Sequence, residues 1–411
     1  MSRSFDAAIV GAGPAGSATA ILLARAGWSV ALIERQPFPR RKVCGECVAA
    51  SNLALLDALG VGAEFDRRAG DELRRVALLR GDDSIVAALP GAESSARRWG
   101  RALGRERLDP LLADAAEAAG ATRLQPCAVQ AIGGSAGAFR LRLRPPGGGD
   151  FAIDTRLVVA AHGSWEPLPA EREEQRAARA ASDLFAFKAN FRDAAIAADL
   201  LPVLSFVGGY GGMVVADDDL STLACCVRAD RLQALRAEQP GASAGAVVEA
   251  MLRRECAGVR DALAAAERAG PWIASGPLRP GVRLGQGDGV FRVGNAAGEA
   301  HPIVGEGISM ALQSAFVLAG VIGGDRGRLL DEATAGAAQR RAISAYERLW
   351  RRRFARRLGV AAVFAHVAIR PALAGLAWPL VRRWPGVLTE GARWSGKTRS
   401  VPEAARWAGA A

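Results

Sequence analysis

Gly11, Gly13 and Gly16 fall in the run Gly-Ala-Gly-Pro-Ala-Gly, and a lone acid, Glu34, follows 18 residues after the last of them. The apolar stretch Phe5 to Val10 precedes this run. A small-residue segment to about Ala26 and a second apolar stretch, Trp28 to Ile33, separate it from Glu34. Gly11 permits a tight turn, Gly13 lets a pyrophosphate approach the backbone, and Gly16 lets a helix pack against the preceding strand. A helix opening here, with Ala15 in its first turn, presents free N–H groups and its positive dipole end to phosphate. Glu34 stands where a carboxylate accepts from ribose hydroxyls. A GxGxxG alone also occurs in unrelated glycine turns. Strand, turn, helix, strand and acid in this order specify a site for the ADP half of a dinucleotide.

Other residues capable of chemistry are scattered. Cys44-Gly45-Glu46-Cys47 contains a CxxC, Tyr210 lies between glycines, and His301 sits in a second glycine-containing run, Gly294 to Gly307. The CxxC allows a redox dithiol or half of a zinc site, but no second CxxC and no nearby histidine support a metal. The alternative is a cavity-lining Cys44 with Cys47 packed one turn into a helix. His301 is a candidate proton donor or a loop histidine bonded to backbone. Glu46 orients substrate or shuttles protons, or else is a dipole partner at a helix N-terminus. Tyr210 faces substrate or is a plain turn aromatic. His162 and His366 read as structural.

The elements that must position these residues are legible in outline. Cys44 is expected to open a helix running to about Leu59, residues 73–90 form two short strands, and Glu106 to Ala119 is an amphipathic helix with Leu108, Leu111, Leu112 and Ala115 on one face. A hairpin near 138–158 turns at Pro145 to Gly149. Alternating strands at 204–207, 212–216 and 221–227 precede a helical stretch from Arg231 to Ala269. A strand at 290–293 leads to a helix from Ile308 to Ile322. Near the C-terminus, Tyr346, Leu349, Trp350, Phe354 and Leu358 recur at helical spacing between arginines. The apolar stretch 359–380 is broken by His366, Arg370-Pro371 and Pro379.

With 411 residues, half of them hydrophobic, the chain has enough apolar side chains for a sizeable core. The net charge of +11 is not spread evenly. From Arg340 onward there are 15 basic and 3 acidic side chains, against 38 and 39 in the rest. No nucleic-acid-binding motif accompanies this segment, so nucleic acid is not an expected partner. Six cysteines without a disulfide framework, and no signal peptide in the sequence, point to a reducing cytoplasm. No uninterrupted run of 18 apolar residues suggests a membrane span. Peripheral membrane contact through the arginine-rich helix, with Trp378 and Trp384 on its apolar face, is one expectation. A packed tail closing the rest of the fold is the other.

Taken together, Gly11–Gly16 and the run Gly294-Asn295-Ala296-Ala297-Gly298-Glu299-Ala300-His301-Pro302-Ile303-Val304-Gly305-Glu306-Gly307-Ile308 resemble the FAD-dependent oxidoreductases of the aromatic-hydroxylase fold, and most of all their geranylgeranyl-reductase branch. Lys42-Val43-Cys44-Gly45 is similar to that branch's Lys-x-Cys-Gly at the flavin ring and substrate cavity. Arg105-Glu106-Arg107-Leu108-Asp109 is similar to the family's Arg-x-x-Phe-Asp, whose arginine contacts the cofactor. The resemblance covers residues 1 to about 325. It implies FAD held by Gly11, Gly13, Ala15, Gly16, Glu34, Arg35, Cys44, Gly45, Arg105, Val129, Asn295, Pro302, Gly305, Gly307 and Ile308, with NAD(P)H a candidate electron donor. Cys44, Glu46, His301 and Tyr210 are the catalytic candidates.

Three positions depart from the family's pattern. Its ribityl-binding Asp is Asn295 here, the hydroxylases' Asp-Gly is His162-Gly163, and the second glycine of the reductases' Cys-Gly-Gly is Glu46. The resemblance also implies the architecture, an α/β chain. A Rossmann-like FAD-binding domain comprises residues 1–70, 98–165 and 286–325. An inserted mixed-sheet α+β substrate domain comprises 71–97 and 166–285, and a C-terminal helical, arginine-rich segment comprises 326–411. The expected activity is flavin hydride transfer to a C=C bond of a polyprenyl, polyketide or phenolic lipid. Hydroxylation of an aromatic or polyketide ring is the alternative, and a non-catalytic prenyl-binding role is a third.

Overall fold

The computed structural model describes residues 3–92, 97–164, 166, 168, 169 and 180–394. The C-terminal part of the expected arginine-rich segment, 395–411, lies outside these residues, as do 93–96, 165, 167 and 170–179.

A first sheet is built on Arg3–Val10, which pairs in parallel with Val30–Ile33 on one side and Phe151–Ala160 on the other. Thr122–Leu124 extends it beyond Val30–Ile33. Phe151–Ala160 serves two partners on its far edge. Its first half forms the antiparallel hairpin with Ala138–Arg144, and its last residues pair in parallel with Phe291–Arg292. The late strand thereby returns the chain to the middle of the first sheet. Helices Pro14–Arg25, Arg105–Ala118 and Gly307–Ile322 pack together against this sheet through Ile21, Leu112, Phe316 and their neighbours. The close packing of the first helix depends on Gly16, where a Cβ would overlap the Gly11 carbonyl oxygen.

The second sheet runs Glu267–Arg268, Leu184–Arg192, Ser221–Arg228, Gly209–Val215, Leu200–Phe206, Arg75–Arg80 and Asp83–Ala88, with Ile273–Leu278 also on Leu184–Arg192. Its alternation separates two faces. Ala77, Leu79, Phe187, Phe191, Leu204 and Leu223 pack under the helices Ala229–Glu238, Ala244–Glu255 and Ala257–Ala262. Val76, Leu78, Leu201, Val203, Tyr210 and Gly212 point to the opposite side, into a cavity. The expected helical stretch to Ala269 thus stops at Ala262, and Glu267–Arg268 joins the sheet.

Two further expectations change. Cys44 does not open a helix: Cys47–Val48 is a short strand against Arg101–Ala102, and helix begins only at Ala50, as a 3₁₀ turn before Leu53–Ala58. The cause is Glu46, whose φ of 59° is incompatible with a right-handed helix. Cys47 is consequently half-buried in a strand instead of packed inside a helix.

The C-terminal helix Ala335–Ile369 buries Tyr346, Trp350, Phe354 and Leu358, whereas Leu349 is exposed. The chain then turns by 103° at Arg370-Pro371 into Pro371–Arg383, followed by Gly386–Trp394. Proline disfavours helix at the residue before it and suits the first helical position, so it fixes the corner. Contrary to the expectation from uninterrupted runs, Gly307–Leu330 has the length and hydropathy of a membrane span, but 72% of its apolar window is buried within the fold.

Candidate functional site: a cavity between the two sheets

A cavity of about 980 Å³ runs from the Gly11–Gly16 turn, between the sheets, to the C-terminal helices. This is at the upper end of the range of about 300–1,000 Å³ for small-molecule and cofactor sites. Gly11, Gly13, Ala15, Glu34, Arg35, Arg105 and Val129 line its nucleotide end, and Asn295, Pro302, Gly305, Gly307, Ile308, Cys44 and Gly45 line its middle. Glu46 and Tyr210 also reach it. Gly16 and His301 do not line it: Gly16 is spent on helix packing, and the His301 ring turns toward Tyr210.

At the nucleotide end Gly11 is left-handed (φ 108°), and a Cβ there would meet the Ala161 carbonyl oxygen at 2.5 Å. Gly13 faces two guanidinium groups instead, and a Cβ there would stand 3.4 Å from Arg105 Nη2 and 4.0 Å from Arg40 Nη2. Arg105 donates through Nε and Nη2 to both oxygens of Asp109, at 2.6 and 2.8 Å. Burial works against its charge, but Asp109 holds the guanidinium protonated above its ordinary range, with Cys44 a further partner. Arg40 Nη1 donates to Glu34 at 2.6 Å, while its buried Nε has no partner among the described residues. A narrow glycine lane beside buried guanidinium groups, at the N-terminus of Pro14–Arg25, fits a pyrophosphate.

Glu34 is buried and already accepts from Ala12 N, Gln36 N and Arg40 Nη1. A carboxylate has about four acceptor positions, so this arrangement leaves room for one ribose hydroxyl rather than two.

In the middle of the cavity Gly305 is left-handed (φ 64°) and ends a 3₁₀ turn, Pro302–Val304. The helix Gly307–Ile322 starts two residues later, and no atom stands within 4 Å of where a Gly307 Cβ would be. The first N–H groups of that helix lack intrahelical acceptors, which suits an electron-rich ring edge. Asn295 Nδ2 donates to Ser164 Oγ at 2.9 Å, leaving its carbonyl oxygen as an acceptor for hydroxyls. These residues fit FAD, with the ADP half at Gly13 and the ring end at Gly305–Gly307.

Glu46 is held by groups from both halves of the fold. It accepts from Lys188 Nζ and Thr222 Oγ1 of the second sheet, and from the backbone N–H of Arg105 at 3.0 Å. The expected helix-dipole role therefore exists, but for the helix at Arg105–Ala118 and not for one beginning at Cys44. Lys188 and Thr222 were not singled out from sequence. The available signal was a lysine, one of three in the chain, inside the apolar strand Leu184–Arg192.

Tyr210 lies beside Val43 and Ile303, 1% exposed, with its hydroxyl 3.2 Å from His301 Nδ1. Burial, then Cys226 and Glu299, push the phenol well above its ordinary value, so it stays protonated. Burial lowers the His301 value, favouring the neutral ring. Cys44 and Cys47 are free cysteines, not joined in a disulfide.

Residues 4–358 match the family model described as an FAD binding domain. The chain is 31% identical over 165 residues to a menaquinone reductase of Mycobacterium tuberculosis, covering 40% of this chain and 39% of that protein. It is 37% identical over 123 residues to a kynurenine 3-monooxygenase of Xanthomonas oryzae pv. oryzae, covering 28% and 26%. These alignments thus span about two fifths or less of the curated relatives. Among solved structures, a myxobacterial chondrochloren halogenase gives a TM-score of 0.74 at 18% identity over 99% of this chain and 96% of that one. A geranylgeranyl bacteriochlorophyll reductase-like protein from Thermoplasma acidophilum gives 0.71 at 18% identity, with the same coverages. At these identities the structures show the fold. The family match and the glycine-lined cavity together place the chain in the FAD binding domain family.

Proposed function

We propose that the chain reduces a carbon–carbon double bond of a bulky apolar substrate, a polyprenyl, polyketide or phenolic lipid, with NAD(P)H as the external donor. When bound, FAD supplies the hydride. The observation that carries this reading is the composition of the cavity beyond the Gly305–Gly307 turn. There the walls are mainly apolar, with Val76, Leu78, Leu201, Val203, Phe364 and Trp378 beside Arg80 and Ser205, and the one phenol is Tyr210. Such a wall takes an apolar chain and excludes water from the reacting carbons.

Reduction of an alkene needs a hydride at one carbon and a proton at its neighbour. Tyr210 O–H is the proton source in this reading; His301, 3.2 Å away and neutral as its Nδ1–H tautomer, returns a proton to the phenolate while its Nε2 takes one from solvent. Cys44 and Gly45 form the wall beside it, and Glu46 keeps that wall in place through Lys188. Relatives named menaquinone reductase support reduction, while those named kynurenine 3-monooxygenase support oxygenation as the alternative. Anaerobic incubation of FAD-loaded, chemically reduced protein with geranylgeranyl-chain substrates separates the two. A product heavier by two hydrogens supports reduction. A product formed only with oxygen, and heavier by one oxygen atom, overturns it.

A further inference from the structure

We propose that Pro371–Arg383 and Gly386–Trp394 dock on an anionic lipid bilayer, and that the apolar arm of the cavity opens there, so that substrate enters from the lipid. This rests on the apolar-substrate reading above and adds where that substrate comes from.

Leu373, Leu376, Leu380 and Trp384 recur at steps of three, four and four, and are 37%, 80%, 50% and 56% exposed. They form one outward stripe on the helix and its C-cap. Eight of the thirteen large apolar side chains exposed on the described surface fall within residues 363–394, so this is a patch and not scatter. Trp378, expected on the same face, turns inward under the Arg80 guanidinium and lines the cavity.

The rim of the patch is basic. Arg383 lies 5.8 Å from the Trp384 ring centroid and Arg356 lies 6.0 Å from that of Trp394, with Arg370 and Arg382 exposed nearby. Tryptophan flanked by arginine suits the headgroup boundary of an anionic membrane. A second copy of the chain would set the same arginines against one another, which disfavours self-association through this face.

The cavity and the patch share side chains. Val363, Phe364, Leu380 and Val387 line the cavity and are also 64%, 40%, 50% and 42% exposed. The apolar wall inside is therefore continuous with the apolar surface outside.

The test uses full-length, FAD-loaded protein and its Leu376→Asp/Trp384→Asp and Arg382→Glu/Arg383→Glu variants, none of whose substituted residues lines the cavity. Flotation is measured with phosphatidylcholine vesicles, with or without phosphatidylglycerol, and flavin retention reports folding. Wild type is expected to float with the anionic vesicles, and each variant to lose about tenfold in binding. Turnover of a vesicle-embedded geranylgeranyl quinone falls in parallel, while a short-chain soluble analogue is unaffected. Equal flotation of variants and wild type overturns the proposal. So does a wild type that ignores vesicles but forms a dimer dissociated by Leu376→Asp/Trp384→Asp in light scattering. Vesicle binding without turnover of either substrate upholds docking and overturns the reductase reading.

Discussion

Glu46 and Lys188 form an ion pair across the two halves of the fold, at 1% and 0% exposure. Removing one partner leaves the other charged and dry, which costs about 3–5 kcal/mol. Lys188→Ala is therefore expected to lower stability by about that amount in denaturant titration. Glu46→Gln/Lys188→Met, which removes both charges at similar volume, should recover most of the loss. Equal damage from the single and double variants would show that packing, and not the buried charge, sets the cost.

Gly16 and Gly13 sit three residues apart and predict different failures. A Cβ at Gly16 overlaps the Gly11 carbonyl, so Gly16→Ala should yield little folded protein. At Gly13 the nearest neighbour is the end of the Arg105 side chain, at 3.4 Å. Gly13→Ala should fold with an unchanged melting temperature, yet retain about tenfold less flavin, the equivalent of roughly 1.4 kcal/mol of binding. The ratio of flavin to protein absorbance after gel filtration checks this. Full flavin retention by Gly13→Ala would place the pyrophosphate elsewhere.

The glycine turns were legible because their function constrains residue type over a short span: Gly11, Gly13 and Gly305 each need a backbone position or clearance that few residues provide. The hairpin at 138–158 and the second glycine run were legible for the same local reason. The segment around Cys44 was not. Its conformation is decided by Lys188 and Thr222, 142 and 176 residues away from Glu46, and a charge drawn to a distant strand overrides the local helix pattern. The direction of the Trp378 side chain was likewise set by Arg80, on a strand of the second sheet.

His301 gives the fold a dependence on acid. Burial depresses its value below the ordinary 6.5, so between the folded and unfolded values the unfolded chain binds the extra proton. Stability from this residue is complete above pH of about 6.5 and is lost as pH falls through the lower folded value. The melting temperature should drop on acidification below that point, and His301→Gln should flatten this part of the profile relative to wild type. A wild-type and variant pair with parallel curves would remove His301 as the cause.

Tyr210 is the sharpest test of the chemistry. Its phenol is held protonated by burial, beside Cys226 and Glu299, and it faces the cavity next to Ile303. Tyr210→Phe keeps the ring and its edge contact with His301 but removes the transferable proton. Loss of a positioned general acid costs about 10²–10⁴ in rate. We expect kcat for double-bond reduction to fall within that range, with flavin content unchanged and KM moved little, because the apolar walls that hold the substrate are intact. His301→Gln should slow turnover less, since it affects replacement of the proton and not the group that donates it. If Tyr210→Phe retained wild-type kcat, the proton would have to reach the substrate from another cavity group, and Cys44 would be the next residue to replace.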